Sequence, residues 1–410
     1  MKEITDKQLY ILIKEKSEIL QDRDFVMGAF SSMKNGYIDS PFPSSAVSVL
    51  NYAGEKLRDD KEVVMAAVST YSDAFEYASE NLKDDKDVFF KALERFSCER
   101  YGYSFSEKEN EYIRFGLVES PLKYAGVNLK KDKESVLRAS KIDGGAFQYA
   151  DEDLKKDRHL VQEILESQGI ALKFVDERLK KDKELVMSAI YSTRGAALCY
   201  ADEELKNDKD FVIEAASKGI DAWRHVSENL KNNKEIVMEA ISKSKNGWIL
   251  AYLNETLKND KEVVMLAVSQ DGWALQYASD KLKNDKEVVM KAIDSHGIST
   301  ALVLQLASEE LKNDKEIVIK AVSLDAGALE FASEELKNNK EVLMAAAMKD
   351  YEKASKFSGE SLKQNQDFIS SVKRKSMISK IKRQISEKLN LKERVKNKEK
   401  NVKSIGDGNE

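Results

Sequence analysis

Hydrophobic and polar positions recur along the chain in a repeated unit, which is clearest over residues 257–280. The first half of this unit places five apolar residues within six positions: Val263, Val264, Met265, Ala267 and Val268. That face is wider than the apolar stripe of a helix packed on one side only, so it predicts a helix with neighbours on both sides. Asp260 stands just before the run, where its carboxylate can accept hydrogen bonds from first-turn amides, and we assign it as the N-cap.

The second half of the unit predicts a second helix. Asp271 and Gly272 interrupt the pattern, and Leu275, Tyr277 and Ala278 then follow at helical spacing. An aromatic residue, Tyr or Phe, occupies the position of Tyr277 in ten of twelve copies. Because both rings fill a similar volume, we interpret this position as a core packing slot with the tyrosine hydroxyl at its edge.

A polar hexapeptide, LKNDKE or a close variant, separates one unit from the next and occurs 13 times. Its first position falls at Ile19, Leu57, Leu82, Leu129, Leu154, Leu179, Leu205, Leu230, Leu257, Leu282, Leu311, Leu336 and Leu362. The fourth position is always Asp or Asn, and twelve copies carry an acid at the sixth, where the helix dipole favours negative charge. Self-similarity at this period predicts an all-α fold, an α-solenoid of tandem helix-turn-helix repeats of about 25 residues, and we expect no strands.

Interruptions of the period divide the chain into three predicted segments. Residues 1–44 should form N-terminal helices with a divergent first repeat, residues 45–367 the tandem array, and residues 368–410 a basic amphipathic C-terminal helix and a disordered tail. Within the array the step from Leu82 to Leu129 is almost twice the commonest step, which indicates an insertion at about 95–120. Insertions in repeat arrays fall on loops, so this segment is either a candidate for a specific function or a neutral variation.

Charge is unevenly distributed along the chain. The formal net charge is −5, yet residues 371–410 hold 13 Lys or Arg against 5 Asp or Glu. The rest of the chain is therefore strongly acidic, which argues against a nucleic-acid groove along the repeats.

The basic C-terminal segment leaves two interpretations open. Its apolar residues lie on one face at helical spacing: Ile378, Ile381, Ile385 and Leu389. The segment is either a helix that caps the last repeat or an attachment to an anionic membrane surface or another polyanion. The residues that would contact a polyanion are Lys373, Arg374, Lys375, Lys382 and Arg383.

Few residues form patterns that carry catalytic or metal-binding chemistry. His159, His225 and His296 fall at different positions of different repeats, which removes a clustered metal site or a histidine-based triad. No glycine-rich phosphate-binding motif is found, and the many acids belong mainly to caps and exposed edges. We therefore expect no enzyme, cofactor, metal or small-molecule substrate; an enzyme site in the 95–120 insertion is the alternative.

The two cysteines bear on the compartment. Cys98 and Cys199 lack the paired spacing of a redox motif or zinc site, which favours a reducing compartment. The N-terminus is charged, and no segment approaches the roughly 18 apolar residues of a membrane span. We expect a soluble cytoplasmic protein.

Trp248 and Trp273 occupy equivalent positions, nine residues before the first residue of the next motif copy. Other copies carry residues such as Asp73 and Gly145 there, so we expect partial exposure. An exposed aromatic pair on adjacent repeats is typical of a protein-contact hot spot, and inter-repeat packing is the alternative. Trp223 is not equivalent, because it replaces the core residue of the Leu275 position.

The consensus unit LKNDKEVVMxAVSxxGxALxYASEE resembles the repeat known as domain of unknown function 4116. The resemblance covers most of residues 45–365, and its specificity rests on recurrence. It implies a tandem α-helical array and supplies no established activity, so no catalytic residue is transferred. We therefore expect a non-catalytic scaffold for protein–protein interaction with an unknown partner; the alternative is a peripheral adaptor that binds an anionic membrane surface or another polyanion through its basic tail.

Overall fold

A computed structural model describes residues 18–34, 45–101, 103–106, 111–114, 119–295, 300–359 and, in part, 367–381. The chain divides into two compact units, Met1–His225 and Val226–Glu410, and each is described by itself. The predicted division into residues 1–44, 45–367 and 368–410 stays a prediction.

Each repeat begins with a long α-helix, such as Lys261–Gln270. A 3-10 helix, Gly272–Tyr277, and a short α-helix, Asp280–Lys283, follow it. The predicted second helix is thus divided in two. The division falls at Ala278, whose backbone is extended, and at Ser279, whose hydroxyl oxygen caps the short helix.

The first unit repeats this arrangement. Its long helices are Arg23–Lys34, Lys61–Thr70, Lys86–Tyr101, Lys133–Ile142, Arg158–Leu165, Lys183–Ser192 and Lys209–Lys218. Its short helices are Glu18–Gln21, Glu55–Arg58, Glu80–Lys83, Val127–Lys131, Glu152–Lys155, Leu179–Lys181 and Glu203–Lys206, of which the first and sixth are 3-10. Between them lie the 3-10 helices Ser72–Tyr77, Pro121–Lys123, Gly144–Tyr149, Gly169–Phe174 and Ala196–Tyr200, and the α-helices Ser45–Tyr52 and Asp221–Arg224.

The second unit follows the same order. Its long helices are Lys234–Ser244, Lys261–Gln270, Lys286–Asp294, Lys315–Leu324 and Lys340–Lys349. Its short helices are Glu228–Lys231, Glu255–Lys258, Asp280–Lys283, Glu309–Lys312 and Glu334–Lys337. The elements between them are the 3-10 helices Gly247–Tyr252, Gly272–Tyr277 and Ala326–Phe331 and the α-helices Thr300–Leu306 and Tyr351–Phe357.

The core of each repeat comes from all three elements. The buried residues of the long helix are Val263, Val264, Ala267 and Val268, and those that follow are Gly272, Ala274, Leu275, Ala278 and Leu282. Four of the five predicted apolar residues are therefore buried, and the fifth, Met265, is half-buried. Gly272 is required for close packing, because a Cβ there would lie 2.3 Å from the carbonyl oxygen of Ala292 in the next long helix. In the first motif copy the buried residue is Leu20, and Ile19 is exposed.

The predicted N-caps are confirmed wherever the structure describes them. The Oδ1 atom of Asp260 accepts hydrogen bonds from the amide N–H groups of Glu262 at 3.0 Å and Val263 at 3.2 Å. The other described caps are Asp22, Asp60, Asp85, Asp132, Asp157, Asp182, Asp208, Asn233, Asp285, Asp314 and Asn339. Asn365 lies outside the described residues.

The aromatic position is not a core slot, so that prediction was wrong. Tyr277 is only half-buried, as are ten of the other eleven residues at this position, and Tyr52 is exposed. The buried residues of the 3-10 helix are Gly272, Ala274 and Leu275, and Tyr277 is its last residue, just before the extended backbone of Ala278.

The predicted all-α repeat architecture is confirmed, and one short hairpin within the insertion departs from the expectation of no strands. Tyr103–Ser106 pairs antiparallel with Glu111–Arg114, in a register that places Tyr103 opposite Arg114. Aromatic and serine residues alternate along Tyr103–Ser106, and a period of two favours a strand over a helix. Elsewhere in the described ranges the secondary structure is helical.

Candidate protein-contact surfaces

The last five residues of the LKNDKE motif form what we call the polar ladder, a set of hydrogen bonds and ion pairs between successive repeats. The backbone N–H of Ser279 donates to the carbonyl oxygen of Lys258 at 3.0 Å. The hydroxyl of Ser279 donates to the side-chain oxygen of Asn259 at 2.7 Å. Lys261 lies 2.8 Å from both Asp285 and Glu287 of the next motif copy. The motif is thus used to join repeats.

The cationic fifth position makes the same inter-repeat ion pair in many copies. The residues that contact the next N-cap carboxylate are Arg23, Lys61, Lys86, Lys133, Arg158 and Lys183 in the first unit, and Lys234, Lys261 and Lys286 in the second. The hydrogen bond from Arg23 lowers the pKa of the Asp60 carboxyl below its ordinary value. These acidic side chains therefore join successive repeats, so the candidates for a contact surface are side chains that differ between repeats.

Trp248 contacts the following repeat and also reaches solvent. Its indole N–H donates to Asp271 at 2.7 Å, and its ring meets Tyr277 edge-on with centroids 6.0 Å apart. The side chain remains 36% exposed, whereas Trp273 is half-buried. Trp248 thus packs against the next repeat, which was the alternative interpretation of this position. The role of Trp248 and Trp273 as a protein contact stays a prediction. Trp223 is fully buried, as expected for a core position.

An open groove of about 690 Å³ lies between the long helices Lys183–Ser192 and Lys209–Lys218. We call it the Tyr191 groove. Its apolar lining is Met187, Tyr191 and Phe211, and its acidic lining includes Glu166, Asp210 and Glu214. Tyr191 is 72% exposed, the highest value among the exposed large hydrophobic residues of the described chain. A largely exposed aromatic ring beside an open groove is characteristic of interaction surfaces.

The charges of the Tyr191 groove are only partly neutralised. Glu184 pairs with Arg158 at 2.6 Å, and Lys183 pairs with Asp208. The other three carboxylates of the lining belong to Glu166, Asp210 and Glu214, and none of them forms an ion pair with a described residue. Among the described cations of the lining, only Lys218 is unpaired. The groove therefore presents the aromatic ring of Tyr191 among side chains whose net charge is negative.

Tyr191 was not predicted from the sequence, although a signal was present. Six equivalent positions carry serine, namely Ser31, Ser69, Ser217, Ser242, Ser269 and Ser323. The motif step across Tyr191, from Leu179 to Leu205, is also one position longer than the commonest step. The extra residue is accommodated by left-handed backbone at Arg194 (φ 53°) and Gly195 (φ 108°). An aromatic residue at a mostly polar position next to a longer turn could have identified the site.

Trp248 follows a second irregular turn. The motif step across it, from Leu230 to Leu257, is two positions longer than the commonest step, and Lys245 adopts φ 52°. Arg194 and Lys245 are the two non-glycine residues of the described chain with positive φ. Tyr191 and Trp248 therefore both lie within three positions of left-handed backbone, a conformation that side-chain-bearing residues adopt at a cost.

The basic segment is described in part. Lys373, Arg374 and Lys375 are helical and exposed, and Val372 just before them is buried. Exposed large hydrophobic residues of the same segment are Met377, Ile378 and Ile381. The predicted contacts Lys382 and Arg383 lie outside the described residues, as do Ile385 and Leu389. The described part thus presents cations and apolar side chains together.

The remaining candidates for chemistry are dispersed. His159 is exposed on a first helical turn, His225 is half-buried, and His296 is not among the described residues. Burial raises the pKa of the Cys199 thiol, which disfavours the reactive thiolate. In the described ranges no three His, Cys, Asp or Glu side chains are grouped to hold a metal ion. None of the described helices is both long and apolar enough to cross a lipid bilayer.

Comparison with known sequences agrees with this repeat pattern. The sequence profile described as Domain of unknown function (DUF4116) matches residues 42–83, 60–107, 119–155, 132–180, 157–194, 182–228, 213–258, 244–283, 260–302, 285–337 and 314–363. Neither the curated proteins nor the solved structures contained a match. Because the matched segments tile most of the chain at the spacing of its helical units, the chain belongs to the DUF4116 family.

Proposed function

We propose that the protein is a non-catalytic helical repeat scaffold that binds another protein through side chains that depart from the repeat pattern. The observation that carries this proposal is Tyr191, a 72% exposed aromatic residue beside an open groove. Desolvation of an aromatic ring against a partner is a frequent source of large binding energies in interfaces. The polar ladder supports the division of roles, because it uses the repeated charged residues for the array itself.

Site-specific photo-crosslinking tests the proposal. A photoreactive phenylalanine analogue replaces Tyr191 in one variant and the equivalent Ser269 in the other. In cells that express the protein, we expect a discrete crosslinked protein from position 191 and none from position 269. Equal crosslinking at both positions, or at neither, would show that the groove is no more a contact surface than the regular repeat.

Trp248 and Trp273 provide a second position for the same test. The ring of Trp248 is already held by Asp271 and Tyr277, so a partner would meet a preorganised side chain. Replacement of Trp273, which is half-buried, by the photoreactive residue tests whether the pair belongs to the contact. A product that also forms from position 191 would assign both surfaces to one partner.

A further inference from the structure

The Tyr191 groove can be compared with the equivalent place three long helices earlier. There, Phe90 projects from the long helix Lys86–Tyr101, and the Arg138 guanidinium of the next long helix lies 4.3 Å from its ring centroid. By position in their helices, Phe90 corresponds to Met187 and Arg138 to Glu214. A cation therefore covers the aromatic ring at the earlier place. At the groove the equivalent pair is Met187 and Glu214, and the aromatic ring comes from Tyr191, four positions after Met187.

This replacement leaves the groove suited to a cation from outside. Tyr191 offers an aromatic face to which a guanidinium or ammonium group is attracted. Negative charge that no described basic side chain neutralises comes from Glu166, Asp210 and Glu214. The apolar surface beside it comes from Met187 and Phe211. The occupant that fits carries basic and large aliphatic side chains close together.

The chain itself contains such a segment. Lys373, Arg374 and Lys375 are exposed and make no ion pair with other described residues. Met377 and Ile378 follow closely and are 58% and 45% exposed. The charge of residues 371–410 is opposite to that of the remaining chain, so this segment is complementary in charge to the acidic groove of a second copy.

We propose that the Tyr191 groove of one copy binds residues 373–378, which are part of the basic segment, of a second copy. This inference rests on the proposed function, since it names the partner of the same groove. The contact joins two different surfaces, so it is heterologous, and each copy that gives its segment still offers its own groove. Association therefore increases with protein concentration and weakens as salt screens the charges.

Sedimentation equilibrium of the full-length chain at low and high salt tests the proposal. We expect the apparent mass to rise with concentration at low salt, and Tyr191→Ser to weaken association about tenfold or more, which corresponds to about 1.4 kcal/mol. Tyr191→Ser introduces the residue of six equivalent positions, so it should fold normally. The triple variant Lys373→Glu, Arg374→Glu and Lys375→Glu should remain monomeric.

A charge exchange provides the decisive control. Glu166→Lys with Glu214→Lys reverses the groove at two exposed positions, and we expect these changes alone to prevent association. An equimolar mixture of this variant with the triple Glu variant should associate again, because each then offers the complement of the other. A mixture that stays monomeric would overturn the proposal, as would wild-type protein that shows one mass at all concentrations.

Two further results separate this inference from its alternatives. If position 191 crosslinks a protein other than a second copy, the proposed function stands and the present inference fails. If the wild type is monomeric but binds vesicles of phosphatidylserine and phosphatidylcholine, and the triple Glu variant does not, the segment binds anionic lipid and the inference also fails. Crosslinks at position 191 between two copies of different isotopic mass support it.

Discussion

The polar ladder and the Tyr191 groove are both exposed and charged, yet their side chains are used differently. Along the ladder, Lys261 meets two carboxylates of the next motif copy, and Asn259 meets the hydroxyl of Ser279. At the groove, Tyr191 and Glu214 have no such contact with a neighbouring repeat among the described residues. A residue that recurs in every repeat is therefore explained by packing between repeats. Residues available for binding are those that do not recur.

The largest expected effect comes from the apolar residue that precedes the polar ladder in each motif copy. Leu257 is buried at the first motif position, and Leu257→Ala should lower the free energy of unfolding locally by about 2–5 kcal/mol, as large-to-small core changes do. Because each repeat contacts mainly its neighbours, amide exchange should accelerate most in the adjoining helices. The exposed neighbour Thr256 provides a control through Thr256→Ala. Exchange that accelerates equally in all repeats would contradict a nearest-neighbour array.

The next effect separates the two roles of an N-cap in the ladder. Asp60 accepts hydrogen bonds from two first-turn amides and lies 2.8 Å from Arg23 of the preceding motif copy. Asp60→Ala removes the cap as well as the ion pair, and loss of the cap alone should cost about 1–2 kcal/mol. Asp60→Asn keeps the cap, as Asn233 and Asn339 do, and loses only an exposed ion pair, so its effect should be the smaller of the two. Urea denaturation of both variants measures the difference.

A comparison of the wild type with Asp60→Asn gives the pH dependence of the ion pair. The hydrogen bond from Arg23 lowers the pKa of Asp60 in the folded state, so the ion pair stabilises the fold above the unfolded pKa of about 4. That stabilisation is lost as the pH falls through the lower folded pKa. The difference in unfolding free energy between wild type and Asp60→Asn should therefore shrink from pH 6 toward about pH 3. If the difference in unfolding free energy stays constant with pH, it does not come from the charge of the Asp60 carboxylate.

Local features of the fold could be predicted from the sequence, and contacts between repeats could not. The N-caps and the apolar face of Lys261–Gln270 were readable because they involve residues within one or two turns. The ion pair between Lys261 and Asp285 joins residues 24 positions apart, and spacing alone did not show which side of the helix faces the next repeat. The break at Ser279 is also local, because its hydroxyl oxygen accepts a hydrogen bond from the Leu282 N–H, and it was missed because the apolar spacing continues across it.

The site was harder to predict than the fold for a related reason. Trp248 was predicted to be partly exposed, and it is exposed, but its hydrogen bond to Asp271 depends on how two repeats are placed. Tyr191 is absent from the repeat consensus because it does not recur, so its signal appears only when single copies are compared with that consensus. The hairpin of Tyr103–Ser106 with Glu111–Arg114 was missed because a short period-two pattern lay within a chain of helical period.

One departure from the repeat is buried, and it limits the rule that departures mark binding surfaces. Ser140 occupies the position of Val268 in its long helix, is fully buried, and its hydroxyl has no hydrogen-bond partner among the described residues. Ser140→Val should therefore raise the free energy of unfolding by about 1 kcal/mol. Ser135 is an informative control, because its hydroxyl donates to Asp132 at 2.7 Å, and Ser135→Val should give a smaller gain or a loss. Equal effects at both positions would show that burial alone decides.

The smallest expected change in stability is at Tyr191, and its smallness is the informative result. The ring is 72% exposed, so Tyr191→Ser should alter the free energy of unfolding by less than about 0.5 kcal/mol. Selection for folding would then give no reason for an aromatic residue where six equivalent positions carry serine. Thermal and urea unfolding that match the wild type, together with loss of crosslinking or association, would place the contribution of Tyr191 in binding. A loss approaching the cost of truncating a buried aromatic residue, about 3 kcal/mol, would instead make Tyr191 part of the packing, and the distinction between the ladder and the groove would no longer hold.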